Sequence, residues 1–265
     1  MPAGRTAAAA TAGILTRADG ATIAYERRSG KNPGVVFLHG LRSDMTGGKA
    51  QAVEAWCRRH GHACLRLDVR GHGQSSGRFE EGCIGQWAAD VVAALDALTE
   101  GPQVLVGSSM GGWLMLLAAL ERPHRVAGLL GLAAAPDFTE ELIYQRFTPE
   151  QKRALLVAGQ VVIDEDEGLP PLPVSRLLIE DGRQQLLLQD RINISCPVRL
   201  IHGQRDASVP WQTALRLAEQ LASDDVEVTL VKAGGHRLSE AADLVRMERV
   251  LERLLHSVAQ GGMGG

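Results

Sequence analysis

An α/β architecture, a mostly parallel central sheet covered by helices on both faces, is what the order of apolar runs predicts. Short, wholly apolar segments alternate with stretches of helical spacing, the pattern of units in which each strand is followed by a packing helix. These apolar segments lack the polar residue at every second position that a half-exposed strand carries, so they read as strands buried on both faces. The length of 265 residues, with 45% apolar side chains, suits one large domain with a sizeable core.

Ile14–Thr16, the Asp19-Gly20 turn and Thr22–Glu26 read as an opening β-hairpin, because Asp-Gly supplies the positive φ that such turns need. Gly30–Gly34 is a loop, and Val35–His39 is the first buried strand. Gly47–Arg59 places Ala52, Val53, Trp56 and Cys57 at helical spacing and stops at Gly61. Ala63–Asp68 is the second buried strand, closed by the turn-rich stretch Arg70–Gly77. Ile84–Leu98 is a helix with Trp87, Val91, Ala94, Leu95 and Leu98 on its apolar face. Gln103–Val106 is the third strand, and a Gly-rich turn carries it into a helix ending near Leu120. Val126–Leu132 is the fourth strand. Ile194–Ile201 and Val226–Val231 are further strands, separated by a helix near Trp211–Leu221, and Glu240–His256 is the closing helix.

Between Pro136 and Ser195 the alternation stops. This stretch carries two or three short helical patterns, the acidic run Asp164–Glu167 and the proline-rich Pro170–Pro173. A small helical cap over about 137–193 is expected, leaving the C-terminal edge of the fourth strand, with the acidic run as a solvated loop. The remaining boundaries are a flexible N-terminus over 1–12, one domain over 13–258 and a disordered tail over 259–265.

A net charge of −3 with pI near 6.2 offers no basic stripe, so nucleic acid is not an expected partner. Cys57, Cys64, Cys83 and Cys196 are scattered, without a CxxC pair or a histidine at ligand spacing. They read as free structural thiols, and neither a metal nor a cofactor is expected. The opening residues lack the apolar core of a secretory signal, and no apolar run approaches the ~18 residues of a membrane span. A cytoplasmic location is expected.

The chemistry gathers in four short segments. Gly107-Ser108-Ser109-Met110-Gly111 follows a strand and opens a helix. A serine hydroxyl is a poor nucleophile unless exposed and set beside a base, and a sharp strand-to-helix turn with small residues on either side provides that exposure. Ser108 is out of register and reads as a supporting residue. Phe37–Leu41 ends the first central strand with His39-Gly40. Acyl transfer builds negative charge on a carbonyl oxygen, which two waiting backbone N–H groups must meet. Those expected are on Met110, just after the nucleophile, and on Leu41. Leu200–Asp206 runs from a buried strand into a loop that presents an acid, and Gly234-Gly235-His236 lies between the last strand and the closing helix. The chain order Ser109, Asp206, His236 assigns His236 as general base and Asp206 as the acid that holds its tautomer. Asp137, just past the fourth strand, competes with Asp206 for that role. Asp68 reads as a brace for the Arg70–Gly77 loop. His39 reads as structural, and His60, His62, His72, His124, His202 and His256 as surface or packing residues.

Gly107–Met115, His62–Asp68 and Cys196–Trp211 resemble the abhydrolase group of the α/β-hydrolase superfamily. That group includes the mitochondrial acyl-protein thioesterase and mycophenolic acid acyl-glucuronide esterase. The resemblance runs from about Tyr25 to Leu254 and is weakest between Asp137 and Arg191. It implies the α/β-hydrolase fold, a triad of Ser109, Asp206 and His236, and cofactor-free hydrolysis of small-molecule esters or thioesters, or of an acylated protein. Carboxylesterase is the expectation and acyl-thioesterase the alternative. Perhydrolases and C–C bond hydrolases also use a serine here, and a catalytically silent binding module on the same fold is the reading of another class.

Overall fold

The computed structural model describes residues 9–164 and 170–261. Eight strands form one sheet: β1 (Thr11–Thr16), β2 (Thr22–Arg28), β3 (Lys31–Leu38), β4 (His62–Leu67), β5 (Gln103–Ser108), β6 (Val126–Leu132), β9 (Val198–Gly203) and β10 (Val226–Val231). Their spatial order is β1-β2-β4-β3-β5-β6-β9-β10. The hairpin β1–β2 and the β2–β4 pair are antiparallel, and every pair from β4 to β10 is parallel. The hairpin turns at Gly20, whose φ of 84° is the left-handed conformation expected of Asp-Gly. Thr11 and Ala12 pair with Arg27 and Glu26. The part of the expected flexible N-terminus that reaches into 11–12 is therefore strand, while residues 1–8 lie outside the described residues.

Two apolar layers sandwich the sheet. On one side α1 (Gly48–His60) and α7 (Ala241–Gly261) bury Val53, Trp56, Leu251 and Leu254 against Val35, Val104 and Leu130. On the other side α2 (Ile84–Leu98), α3 (Met110–Glu121) and α6 (Gln212–Gln220) bury Trp87, Trp113, Met115 and Leu217 against Val36, Leu105 and Leu129. Successive strand residues thus serve opposite layers, and each buried aliphatic side chain stabilises the fold by roughly 1.5–3 kcal/mol relative to exposure. The closing helix continues past His256 to Gly261. Residues 259–261, expected in the tail, are helical because Leu254, Leu255 and Val258 keep packing on the sheet.

The segment between β6 and β9 departs from the expected helical cap. It carries a π-turn over Thr139–Ile143, α4 (Pro149–Ala158) and α5 (Arg176–Gln184). It also contains a two-stranded antiparallel ribbon, β7 (Gln160–Ile163) with β8 (Leu172–Ser175). The β-branched Val161, Val162 and Ile163 favour extended backbone, and Leu172 and Val174 point into the core while Pro173 faces outward. A two-stranded ribbon tolerates proline because one edge of each strand needs no donor. The prolines around Leu172 obscure in the sequence the alternation that marks this strand. Of the acidic run, Glu165, Asp166 and Glu167 lie outside the described residues.

Candidate active site

Parallel strands deliver their C-terminal ends to one edge of the sheet, and all the segments singled out above meet there. Ser109 is the single residue between β5 and α3, with φ 52° and ψ −118°. That backbone is unfavourable for a residue with a side chain, so its surroundings must hold it. Its N–H donates to the Leu132 carbonyl at 3.0 Å, and its own carbonyl accepts from Gly112 at 2.8 Å and Ala135 at 3.1 Å. The glycines on either side are required by space. A Cβ on Gly107 would collide with the Gly111 backbone, and one on Gly111 with the Leu38 carbonyl.

The turn after β3 lies against this elbow. A Cβ on Gly40 would stand 3.4 Å from both the Ser109 Cβ and the Ser108 carbonyl. Leu41 follows immediately, half-buried, and Met110 is fully buried at the first position of α3, where the helix supplies no acceptor for its N–H. The two candidate oxyanion donors thus flank Ser109. His39 is buried, with Nδ1 2.8 Å from the Gly40 carbonyl and Nε2 accepting from the Val69 N–H at 3.3 Å. Burial lowers its pKa. This ring braces the turn and does not reach the serine in any hydrogen bond. Asp68 Oδ1 accepts from the Met45 N–H at 2.6 Å and Oδ2 from the Gln74 N–H at 2.9 Å, which ties together the loops after β3 and β4.

At the other side of the elbow, the loops after β9 and β10 interlock. Gln204 and Arg205 N–H groups donate to the Val231 and Gly234 carbonyls, each at 2.9 Å. Gly203 has no room for a Cβ against Gly234. This contact brings His236 to Asp206. His236 Nδ1 lies 2.8 Å from Asp206 Oδ2, and its Nε2 lies 3.1 Å from Ser109 Oγ. The carboxylate is 0% exposed and the imidazole 28%. Asp206 Oδ1 accepts from the Ser208 and Val209 N–H groups at 2.9 and 2.8 Å. Burial alone would raise the Asp206 pKa, but the hydrogen bonds from His202 and His236 and the charge of His236 outweigh it. The carboxyl therefore stays ionised well below the usual carboxylate range.

His202 was expected to be a surface or packing residue. It is buried, and its Nε2 stands 3.1 Å from Asp206 Oδ2, the same oxygen that faces His236. The i,i+4 spacing of His202 and Asp206 across a strand end is visible in the sequence but does not tell a packing ring from a donor. Asp137, the rival acid, is equally buried but turns away from His236. Its two oxygens accept from the Leu187 and Leu188 N–H groups at 2.9 and 2.8 Å, and burial raises its pKa. It joins the start of the segment after β6 to that segment's return.

A hydroxyl against an imidazole whose far nitrogen faces a buried carboxylate can pass its proton to that imidazole, leaving an alkoxide to attack a carbonyl. The sheet, the elbow and this order of residues define a class, and the chain belongs to the α/β-hydrolase family. The family's sequence model, described as alpha/beta hydrolase fold, matches residues 33–161. Within it, the chain is similar to the mitochondrial palmitoyl-protein thioesterase ABHD10 of Mus musculus, at 42% identity over 238 residues, 89% of this chain and 79% of that protein. The solved structure of alpha/beta hydrolase domain-containing protein 10 from mouse superposes with a TM-score of 0.87 at 38% identity, covering 94% of this chain and 99% of that one. A putative hydrolase from Agrobacterium vitis S4 gives 0.90 at 35% identity, covering 94% and 100%. The chain is accordingly an enzyme of the ester- and thioester-hydrolysing kind. The expected cytoplasmic location is corrected by the same comparison, since the mouse relative is named as mitochondrial. Among the described residues no helix is long and apolar enough to cross a membrane.

Proposed function

We propose that the chain cleaves long-chain acyl thioesters and esters through an acyl-enzyme on Ser109, with an acylated protein as the natural substrate. The hydrogen-bonded row from Ser109 through His236 to the buried Asp206 carries this reading. Likeness to a palmitoyl-protein thioesterase supports the substrate class.

In the first half-reaction Ser109 Oγ attacks the acyl carbonyl carbon while His236 Nε2 takes the hydroxyl proton. The carbonyl oxygen becomes an oxyanion between the Met110 and Leu41 N–H groups, and a donor in such a position contributes about 10²–10³ to turnover. The tetrahedral species collapses, the C–S or C–O bond breaks, and His236 returns the proton to the departing thiol or alcohol. Water then repeats the sequence on the acyl-enzyme, releasing the carboxylic acid and restoring the Ser109 hydroxyl. Asp206 keeps a proton on His236 Nδ1 throughout and stabilises the imidazolium. The chemistry calls for no cofactor. Residues 137–193 are read as the cap over this edge of the sheet, where open α/β sheets bind ligands.

The test is Ser109→Ala, assayed on a palmitoylated cysteinyl peptide and on p-nitrophenyl esters of increasing chain length. The expected loss on every substrate is on the order of 10⁴-fold or more, with an unchanged melting profile. Retention of a tenth of the activity overturns the nucleophile assignment. A wild-type enzyme that turns over acetyl esters but no palmitoyl thioester overturns the substrate class alone.

A further inference from the structure

Asp206 is surrounded by donors on every side. Ser208 and Val209 N–H groups occupy Oδ1, and two imidazole nitrogens, His236 Nδ1 at 2.8 Å and His202 Nε2 at 3.1 Å, share Oδ2. His202 Nε2 also lies 3.1 Å from the Val209 carbonyl. Both neighbours of Nε2 are acceptors, so this nitrogen carries a proton and donates. Among the described residues His202 Nδ1 is buried without a partner, so a proton placed there would have none of them to donate to. The ring is therefore held in one tautomer, as a donor aimed at the acid. An imidazole with an orphaned nitrogen is a costly occupant of a strand buried on both faces, where an aliphatic side chain would pack without penalty.

We propose that His202 is a positioning residue for hydrolysis, orienting Asp206 Oδ2 toward His236 and drawing off part of the carboxylate's charge. This rests on the reading of Ser109, His236 and Asp206 as the triad. An oxygen that already accepts one N–H is a weaker acceptor for a second, so His236 is bound firmly enough to be oriented but its proton is held less tightly. Removing the His202 donor would turn the undivided charge of Asp206 on His236, a change that the pH dependence of hydrolysis reads out. His236 is hydrogen-bonded to Asp206 and to Ser109, and His202 meets Asp206 on the same oxygen. Beside His236 in the chain lies Arg237, whose carbonyl accepts from the Lys49 ammonium of α1.

The measurement is kcat/KM against pH, normalised to active sites titrated with a fluorophosphonate, on one water-soluble ester. His202→Phe removes the donor and keeps a buried ring. Its acid limb is expected to move up by about half a pH unit or more, with kcat/KM lowered roughly tenfold at neutral pH. His202→Gln, whose amide nitrogen reaches the place of Nε2, is expected to return the limb to its wild-type position. Damage to packing alone lowers the titrated active fraction without moving the limb. If the Phe variant does not fold, His202→Asn takes its place, since its amide stops short of Asp206. A donor-lacking variant with the wild-type limb, or a Gln variant shifted as far, overturns the proposal. Failure of the triad reading looks different, because Ser109→Ala would then keep its activity.

Discussion

Two aspartates, at the ends of the neighbouring strands β6 and β9, have nearly the same local environment and opposite electrostatic fates. Asp137 and the Asp206 side chain are both 0% exposed, and each accepts two backbone N–H bonds of ordinary length. The backbone donors therefore cannot explain why the pKa of Asp137 is raised and that of Asp206 lowered. What differs is the rest of the shell. Asp137 spends both oxygens on the Leu187 and Leu188 amides and meets Glu141, a like charge, as well as Arg216. Asp206 gathers both amides on one oxygen and leaves the other to two imidazoles. A buried carboxylate needs hydrogen bonds merely to exist. It becomes a candidate catalytic acid when a titratable partner faces a remaining lone pair.

That contrast is most directly broken by exchanging each carboxylate for an amide. Asp206→Asn keeps the shape but lets His236 settle in the wrong tautomer and removes the charge that stabilises its cation. The expected effect is a fall in turnover of roughly a hundredfold or more at neutral pH, read as kcat on a p-nitrophenyl ester, with part of the loss recovered as pH rises. Asp137→Asn is expected to change kcat by less than about tenfold. Its effect belongs to stability, because an amide can accept from only one of the Leu187 and Leu188 N–H groups and turns its NH₂ toward the other. The expected cost is about 1–2 kcal/mol in urea unfolding. A reversed pattern of turnover would move the acid to the end of β6. Small losses in each single variant with collapse in the double would mean a shared role.

The candidate site residues could be singled out in the sequence because their chemistry is bound to local spacing. The elbow needs glycines at 107 and 111 for room, the candidate acid follows a buried strand, and the candidate base sits between the last strand and the closing helix, so each leaves a mark a few residues long. The central strands were legible from their apolar runs, since strands covered on both sides admit few polar residues, and the opening hairpin from its Asp19-Gly20 turn. His202 was not legible as a partner of Asp206. In sequence a strand-borne histidine before glycine looks the same whether its ring packs or donates, and only the fold of the β9 loop back on itself decides. The ribbon β7–β8 was hidden for another reason. Four residues of alternation are too few to register, and Pro171 and Pro173 on either side of Leu172 mimic a loop. In the sequence Asp206 has a stronger local pattern than Asp137; which loop meets the β10 loop is a long-range contact that Gly203 permits but does not announce.

The smallest expected effect sharpens the comparison without touching catalysis, through the dependence of stability on acid. Asp206 has a folded-state pKa below its unfolded value near 3.8. The stability it contributes is fully present above that value and is lost as pH falls through it toward the folded one. Asp137 has the opposite sign. Its folded pKa lies above the unfolded value, so its ionisation opposes folding at neutral pH, and that opposition is relieved as pH falls through the folded value to about 3.8. In wild-type protein the two partly cancel. Asp206→Asn removes the acid-labile contribution, so between neutral pH and pH 3 it is expected to lose about 1 kcal/mol less unfolding free energy than wild type. Asp137→Asn removes the compensating contribution and is expected to lose more over the same interval. Urea denaturation at the two pH values measures both. Equal acid sensitivity in the two variants would show that the aspartates share one electrostatic environment, and the distinction between a bracing carboxylate and a base-orienting one would fall.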